Sequence, residues 1–249
     1  MAGNVQTPGA SVSGRLLAVL GAFDVAHPAH SLTEISNRAD LPLSTTKRLV
    51  VELERWGGLE RLVNKHYRIG IRFWELGSLA PRQRGLRDHA LPHMHDLYAA
   101  THQNVQLVVV DGLGALCIEK ISGSKAVPTK TEIGGRPPLH ATAVGKALLA
   151  CSKVDLYRQV CQQGMPKYTP YTIVEPGRLS ANLREVRRKG VAYSREEMST
   201  GAISVASPIV TSDGVLRGAL GVVMRANANL DVLGPGVRTA ALRIARASG

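Results

Sequence analysis

Residues 31–69 carry four local signals in an order that few small folds accommodate. Ser31-Leu-Thr-Glu34 is a capping box, in which a hydroxyl and a carboxylate each satisfy a backbone N–H at a helix start. Leu41-Pro42 then ends that short helix, because the residue before a proline is pushed out of the α region. A further helix is predicted from Leu43, with Thr46, Leu49, Val50, Leu53 and Trp56 at the spacing of a buried stripe. Gly57-Gly58 stops it, and Leu59 to Val63 and His66 to Ile69 read as two strands about Asn64-Lys65, where Asn64 suits a left-handed turn. An earlier helix from Val12 carries Leu16, Leu20 and Phe23 and ends before Pro28. Three helices followed by a hairpin make a winged helix-turn-helix, predicted over residues 12–78, behind a tail at 1–11 rich in Gly, Ser, Thr and Pro.

The face of the third helix opposite its stripe sets what such a domain can touch. The DNA major groove admits one α-helix, Ser and Thr can bond base edges or phosphates, and Arg can fork onto guanine. Ser44, Thr45, Lys47 and Arg48 are therefore the predicted DNA contacts of this helix, Thr46 pointing inward. Arg61, Lys65 and Arg68 on the wing are predicted to hold phosphates, which fixes register without reading sequence. A basic amphipathic helix alone often presents just a solvated face. Here the capping box, tight turn and wing arrive with it. The formal net charge is +12, from 31 Lys+Arg against 19 Asp+Glu, but residues 1–80 hold only nine basic and seven acidic side chains. Global charge thus permits nucleic acid, and the local run Lys47 to Arg72 argues for it.

Beyond the wing, an amphipathic segment over 79–101, bearing Leu86, Ala90, Met94 and Leu97, is predicted as a linker helix. Residues 102–249 alternate apolar runs (Val105 to Val110, Ala115 to Ile121, Ile203 to Val210, Val215 to Arg225) with helical patterns. Turn signals such as Asp111-Gly112 and Ser212-Asp213-Gly214 imply an antiparallel sheet flanked by helices, so the class is α+β. No apolar run reaches the roughly 18 residues of a membrane span, and residues 1–14 lack the basic start and apolar core of a secretory leader. A cytoplasmic chain without membrane contact is expected. Cys117, Cys151 and Cys161 are widely spaced and odd in number, which points to reduced, buried thiols.

Catalytic and metal motifs are incomplete. Gly145-Lys146 lacks the earlier Gly and following Ser or Thr of a phosphate-binding loop. His89, His93 and His95 lack a completing carboxylate or thiol, and Pro92 interrupts the helical ladder between them, so no metal is expected. Adjacent Glu196 and Glu197 do not converge on one substrate and are predicted to hold the 198–202 loop by hydrogen bonds. No catalytic residue and no cofactor are expected.

Leu32-Thr-Glu-Ile-Ser, Leu41-Pro-Leu-Ser-Thr-Thr-Lys-Arg-Leu and Tyr67-Arg-Ile-Gly together resemble the IclR family of prokaryotic transcription regulators. Gly135-Arg-Pro-Pro-Leu-His-Ala-Thr-Ala-Val-Gly-Lys-Ala-Leu-Leu-Ala and Gly190-Val-Ala-Tyr-Ser-Arg-Glu-Glu-Met-Ser-Thr-Gly-Ala-Ile-Ser-Val-Ala-Ser-Pro-Ile are similar to that family's two effector-domain signatures. The resemblance runs from Val12 to the C-terminus. It implies a GAF-like effector domain over 102–249, a homodimer or homotetramer, and a small organic acid or aromatic metabolite as effector. It also implies effector contacts at Ala143, Val144, Ser194, Ser204, Gly221 and Val223. Ser194 stands where the family often has Asp and Ser204 where it often has Cys, which leaves the effector's identity open.

The residues themselves add one suggestion. The helix predicted from Thr142 follows a turn-like run, so its free N–H groups could receive a carboxylate, with Arg136 or His140 adding charge. The competing reading makes Arg136 a surface residue and His140 a structural hydrogen-bonder. The resulting expectation is a ligand-responsive, homo-oligomeric regulator, with repression as the expected sign, that binds double-stranded operator DNA. Its rivals are a constitutive DNA-binding protein without effector and an enzyme with an accessory helical domain.

Overall fold

A computed structural model describes residues 11–79, 81–123, 126–129 and 131–249, with the side chains of 81–84 and 231 left aside. The predicted tail therefore lies outside the described residues but for Ser11, which caps the first helix. The chain divides into two compact units, residues 1–81 and 82–249.

The first unit begins with α1 (Val12–Leu20), the short strand β1 (Ala29–His30) and α2 (Leu32–Ala39). The capping box forms at α2: Glu34 N donates to Ser31 Oγ at 3.3 Å, and Ser31 N donates to Glu34 Oε2 at 2.7 Å. Asp40, left-handed at φ 51°, ends α2, and the chain turns through Leu41 and Pro42 into α3 (Leu43–Trp56). Ser36 Oγ donates to the Leu41 carbonyl at 2.6 Å, which holds the turn. Thr46 is wholly buried and donates to the Pro42 carbonyl at 3.1 Å. The stripe Leu49, Val50 and Leu53 packs with Val19, Ala22, Ile35, Leu59 and Tyr67 into one core. Burial of each large aliphatic chain contributes about 1.5–3 kcal/mol, and that core fixes which face of α3 looks out.

Trp56 departs from the stripe. It is part-exposed, with Phe73 edge-on at 5.3 Å and the Arg72 guanidinium over its ring at 5.0 Å. The strands β2 (Leu59–Arg61) and β3 (Tyr67–Ile69) form the wing, and β1 pairs with the free side of β3 to complete an antiparallel sheet ordered β1-β3-β2. The left-handed turn residue is Lys65, at φ 64°, rather than Asn64. Asn64 contributes its side chain instead, Oδ1 accepting from His66 N at 3.1 Å. The short α4 (Ile71–Gly77) comes next.

The second unit opens on α5 (Pro81–Thr101), which continues through Pro92 where the sequence predicted an interruption. Its Leu86, Ala90 and Met94 are buried in the second unit's core, so this segment is structurally part of that unit rather than a free linker. Then come β4 (Asn104–Asp111), β5 (Gly114–Ile121), α6 (Ala143–Cys151), α7 (Val154–Gln163), α8 (Pro176–Lys189), β6 (Ala192–Arg195), β7 (Ala202–Val210), β8 (Leu216–Arg225) and α9 (Leu230–Ala247). The strands form an antiparallel sheet ordered β5-β4-β8-β7-β6.

Strand periodicity assigns the two faces of that sheet. Val105, Leu107 and Val109 of β4 meet α5 and α9. Val108 on the opposite face joins α6, α7 and α8. Residues 143–150 of α6 are all buried, because the helix lies between β7 and β8 on one side and α8 on the other. None of the described helices is long and apolar enough to cross a membrane.

Candidate functional site

On the first unit, Ser44, Lys47 and Arg48 are exposed on the opening turns of α3, with Thr45 half-buried beside them. The first turn contains no acidic residue, and among the described residues neither Lys47 nor Arg48 forms an ion pair. Two uncompensated cations near the positive end of a helix make a surface suited to phosphate. The wing differs. Arg68 forks onto Glu60 across the β2–β3 pair, Nε to Oε2 at 2.9 Å and Nη2 to Oε1 at 3.0 Å, so its charge is locally balanced. Arg61 lies 5.8 Å over the Tyr67 ring, and Lys65 stands exposed at the tip.

On the second unit, a cavity opens between the sheet and the start of α6. Its volume, counted where a water molecule's centre fits, is about 50 Å³, several times what a single water requires. Val144 of α6, Val223 of β8, Met198 and Pro128 give it apolar walls, while Ile203, Val205 and Val222 border it from strands whose apolar side chains at those positions pack in the opposite core. Gln106, Thr129, Thr131, Thr142, Ser194, Ser199 and Ser204 supply hydroxyls and one amide. Its lining holds no charged side chain among the described residues.

Register explains the convergence. Ser194 faces Ser204 across β6–β7, Ser204 faces Val223 across β7–β8, and Gly221 lies between Ala206 and Gln106. Gly221 lets α6 approach the sheet: a Cβ there would sit 2.5 Å from Val144 Cγ1, which belongs to a β-branched, stiff side chain. Gly145 brings α6 close, since a Cβ at that position would meet the Leu139 Cα and carbonyl at 2.6 Å. Thr142 caps α6 by accepting from Gly145 N at 3.1 Å and anchors itself on the Pro138 carbonyl at 2.8 Å. The N–H groups of Ala143 and Val144, in the first turn, have no acceptor within the helix.

Of the effector positions drawn from the resemblance, Val144, Ser194, Ser204, Gly221 and Val223 line this cavity, while Ala143 is packed in the core beside it. Arg136 and His140 are not in its lining. Arg136 is exposed and ion-paired with Asp111, a partner 25 residues away that no sequence motif connects with it. His140 is buried, its Nε2 donating to the Pro166 carbonyl at 3.0 Å, and is stacked on Tyr168. Burial, with the charge of Lys146 adding to it, holds this imidazole below its ordinary pKa. The competing reading of both residues is the one that matches their positions.

Two features are absent from the sequence reading. Gln106 is 3% exposed, and its Nε2 is buried without a hydrogen-bond partner. A single polar residue inside the apolar run Val105 to Val110 is the available signal. Lys146, part of the incomplete phosphate-loop motif, is wholly buried on α6 and paired with Glu197 Oε1 at 2.6 Å. Burial pulls the Lys146 pKa down and pushes that of Glu197 up, and each charge opposes the other's shift. Only Glu196 holds the 198–202 loop as predicted, accepting from Gly201 N at 2.6 Å. Glu197 instead ties that loop to α6. Among the described residues no group of three or more His, Cys, Asp or Glu is placed to hold a metal. Burial pushes the Cys117 thiol up to about 11, which keeps it protonated and unreactive at neutral pH.

Comparison with known proteins matches both units. Residues 14–62 match the IclR helix-turn-helix domain, and residues 80–246 match the model for the bacterial transcriptional regulator IclR C-terminal region. The transcriptional repressor AllR of Salmonella typhimurium is 30% identical over 216 residues, 86% of this chain and 79% of that protein. The regulator XynR of Escherichia coli is 30% identical over 197 residues, 78% of each chain. A crystal structure of an IclR homolog from Microbacterium hydrocarbonoxydans, complexed with 4-hydroxybenzoate, superposes with a TM-score of 0.89 at 32% identity, covering 94% of this chain and 97% of that one. With a helix-turn-helix on one unit, a cavity on the other and both units matched in order, the chain belongs to the IclR family of DNA-binding, ligand-responsive transcriptional regulators.

Proposed function

We propose that this chain represses transcription in the cytoplasm by binding operator DNA through α3 and the wing, and that a small monocarboxylic acid in the sheet–α6 cavity alters that affinity. Ser44, Thr45, Lys47 and Arg48 make the groove contacts, and Arg61, Lys65 and Arg68 position the backbone. A homodimer or homotetramer presents two wings to the half-sites of a pseudo-palindrome, because protein two-fold symmetry is mirrored in its operator.

The observation that carries the effector part is the cavity itself. Five positions from four elements converge on one small space with apolar walls and neutral polar groups, the composition of a small-molecule site. The 4-hydroxybenzoate complex of the Microbacterium hydrocarbonoxydans homolog supports an aromatic acid as the first compound to try.

Thermal unfolding of the full chain with and without 4-hydroxybenzoate and other small acids tests this. A ligand at about a hundred times its dissociation constant is expected to stabilise by roughly 2.7 kcal/mol. Gly221→Val, whose side chain would collide with Val144 and displace it, is expected to abolish the shift while leaving operator binding intact. An undiminished shift in that variant would move the effector elsewhere.

A further inference from the structure

The cavity's lining holds several hydroxyls but a single side-chain amide, and that amide is unsatisfied. Gln106 sits on β4 between Lys120 of β5 and Gly221 of β8. Gln106 and Gly221 both line the cavity, and the Cβ missing from Gly221 leaves room for the Val144 side chain. Lys120, on the other side, is already engaged with Glu132 at 2.6 Å. The Ser194 hydroxyl is likewise spent, donating to the Ala141 carbonyl at 3.1 Å. Nε2 of Gln106 is the buried donor left over.

An unmet donor in such a place is costly, and a leucine of similar size would fill the site without that cost. A packing role therefore does not account for glutamine here; a ligand acceptor does. Val144, in the first turn of α6, also lines the cavity, and the start of a helix favours negative charge.

We propose that Gln106 is the effector anchor: its Nε2 donates to one carboxylate oxygen of a monocarboxylate whose acid end also faces the first turn of α6. This rests on the reading of the cavity as the effector site, and it specifies the ligand class further. The anion is held by neutral donors without a counter-cation, so the site recognises a single carboxylate by hydrogen-bond geometry. The rest of the ligand is apolar and lies against Val144, Val223 and Met198. A second carboxylate would find no counter-cation in the lining and is disfavoured.

The test is calorimetric titration of the full chain with 4-hydroxybenzoate, benzoate and short aliphatic monocarboxylates, and with p-cresol, which has a methyl in place of the carboxylate. The unaltered protein is expected to bind at least one acid and not p-cresol. Gln106→Leu is expected to weaken that acid about 10- to 100-fold, the loss of one hydrogen bond to a charged group, and to leave the ligand-free melting temperature equal or higher. Equal acid affinity in Gln106→Leu, or a lowered ligand-free melting temperature with affinity unchanged, overturns the anchor role while leaving the cavity reading in place. If the unaltered protein binds no acid, the reading of the cavity fails and this inference fails with it.

Discussion

The buried Lys146–Glu197 pair is the residue-scale feature with the largest energetic consequence. Both groups are out of water, so their attraction mainly repays their own desolvation, and removing one partner strands the other. Lys146→Ala is expected to destabilise the protein by about 3–5 kcal/mol in chemical denaturation, whereas Lys146→Met with Glu197→Leu recovers most of that loss. Equal destabilisation by the single and double variants would contradict this. His140 carries a pH signature. Its folded pKa is depressed by burial, so near and below about 6.5 the unfolded chain takes up a proton that the folded chain refuses. Stability is therefore expected to fall as pH drops through that range, more steeply than in His140→Gln; parallel slopes would argue against a buried neutral ring. Side chains of this kind explain what is legible at residue scale. Ser194, Ser204, Gly221 and Val223 can be named because the resemblance to the IclR family carries effector positions onto them. Arg136 and His140 draw notice by their charge, yet their partners, Asp111 and Pro166, are set by tertiary structure. Gln106 is hidden inside a strand that otherwise reads as apolar.

At the scale of elements, α3 and the wing divide the work of binding. α3 offers uncompensated Lys47 and Arg48, while the wing's Arg68 is balanced by Glu60. Arg48→Ala is expected to relax preference at particular base pairs in a competition assay. Lys65→Ala is expected to weaken all sequences alike and to lower the salt slope by about 1. Operator binding by both variants like that of the parent would place the interface elsewhere. The helices of this region are readable because a capping box, a proline and a 3.6-residue stripe are local signals. β1 and α4 leave no such trace: β1 is two residues long and exists by pairing with β3, and α4 has no side-chain cap and no buried residue. Side-chain preference points to Asn64 for the left-handed turn, but the hairpin register puts positive φ on Lys65 and uses Asn64 as an acceptor. The stripe of α5 is visible in sequence and by itself suits a linker, whereas one partner of that stripe, α9, is far along the chain.

For the whole molecule, linkage joins the two functions. α5 starts at the boundary between the two units, and its buried face packs in the same core as β4, the strand that carries Gln106. A ligand that prefers one state of this protein must change operator affinity, and operator must change ligand affinity by the same factor. The +12 charge of the chain adds a salt-sensitive, sequence-independent attraction to DNA, so these affinities have meaning only at stated ionic strength. The direct measurement is fluorescence anisotropy of the full chain on its operator at fixed salt, without effector and at effector saturation established by thermal shift. Kd for operator is expected to change about 5- to 150-fold with effector, and operator is expected to change effector affinity by the same factor. An operator Kd that stays constant while the cavity is demonstrably filled would contradict the coupling.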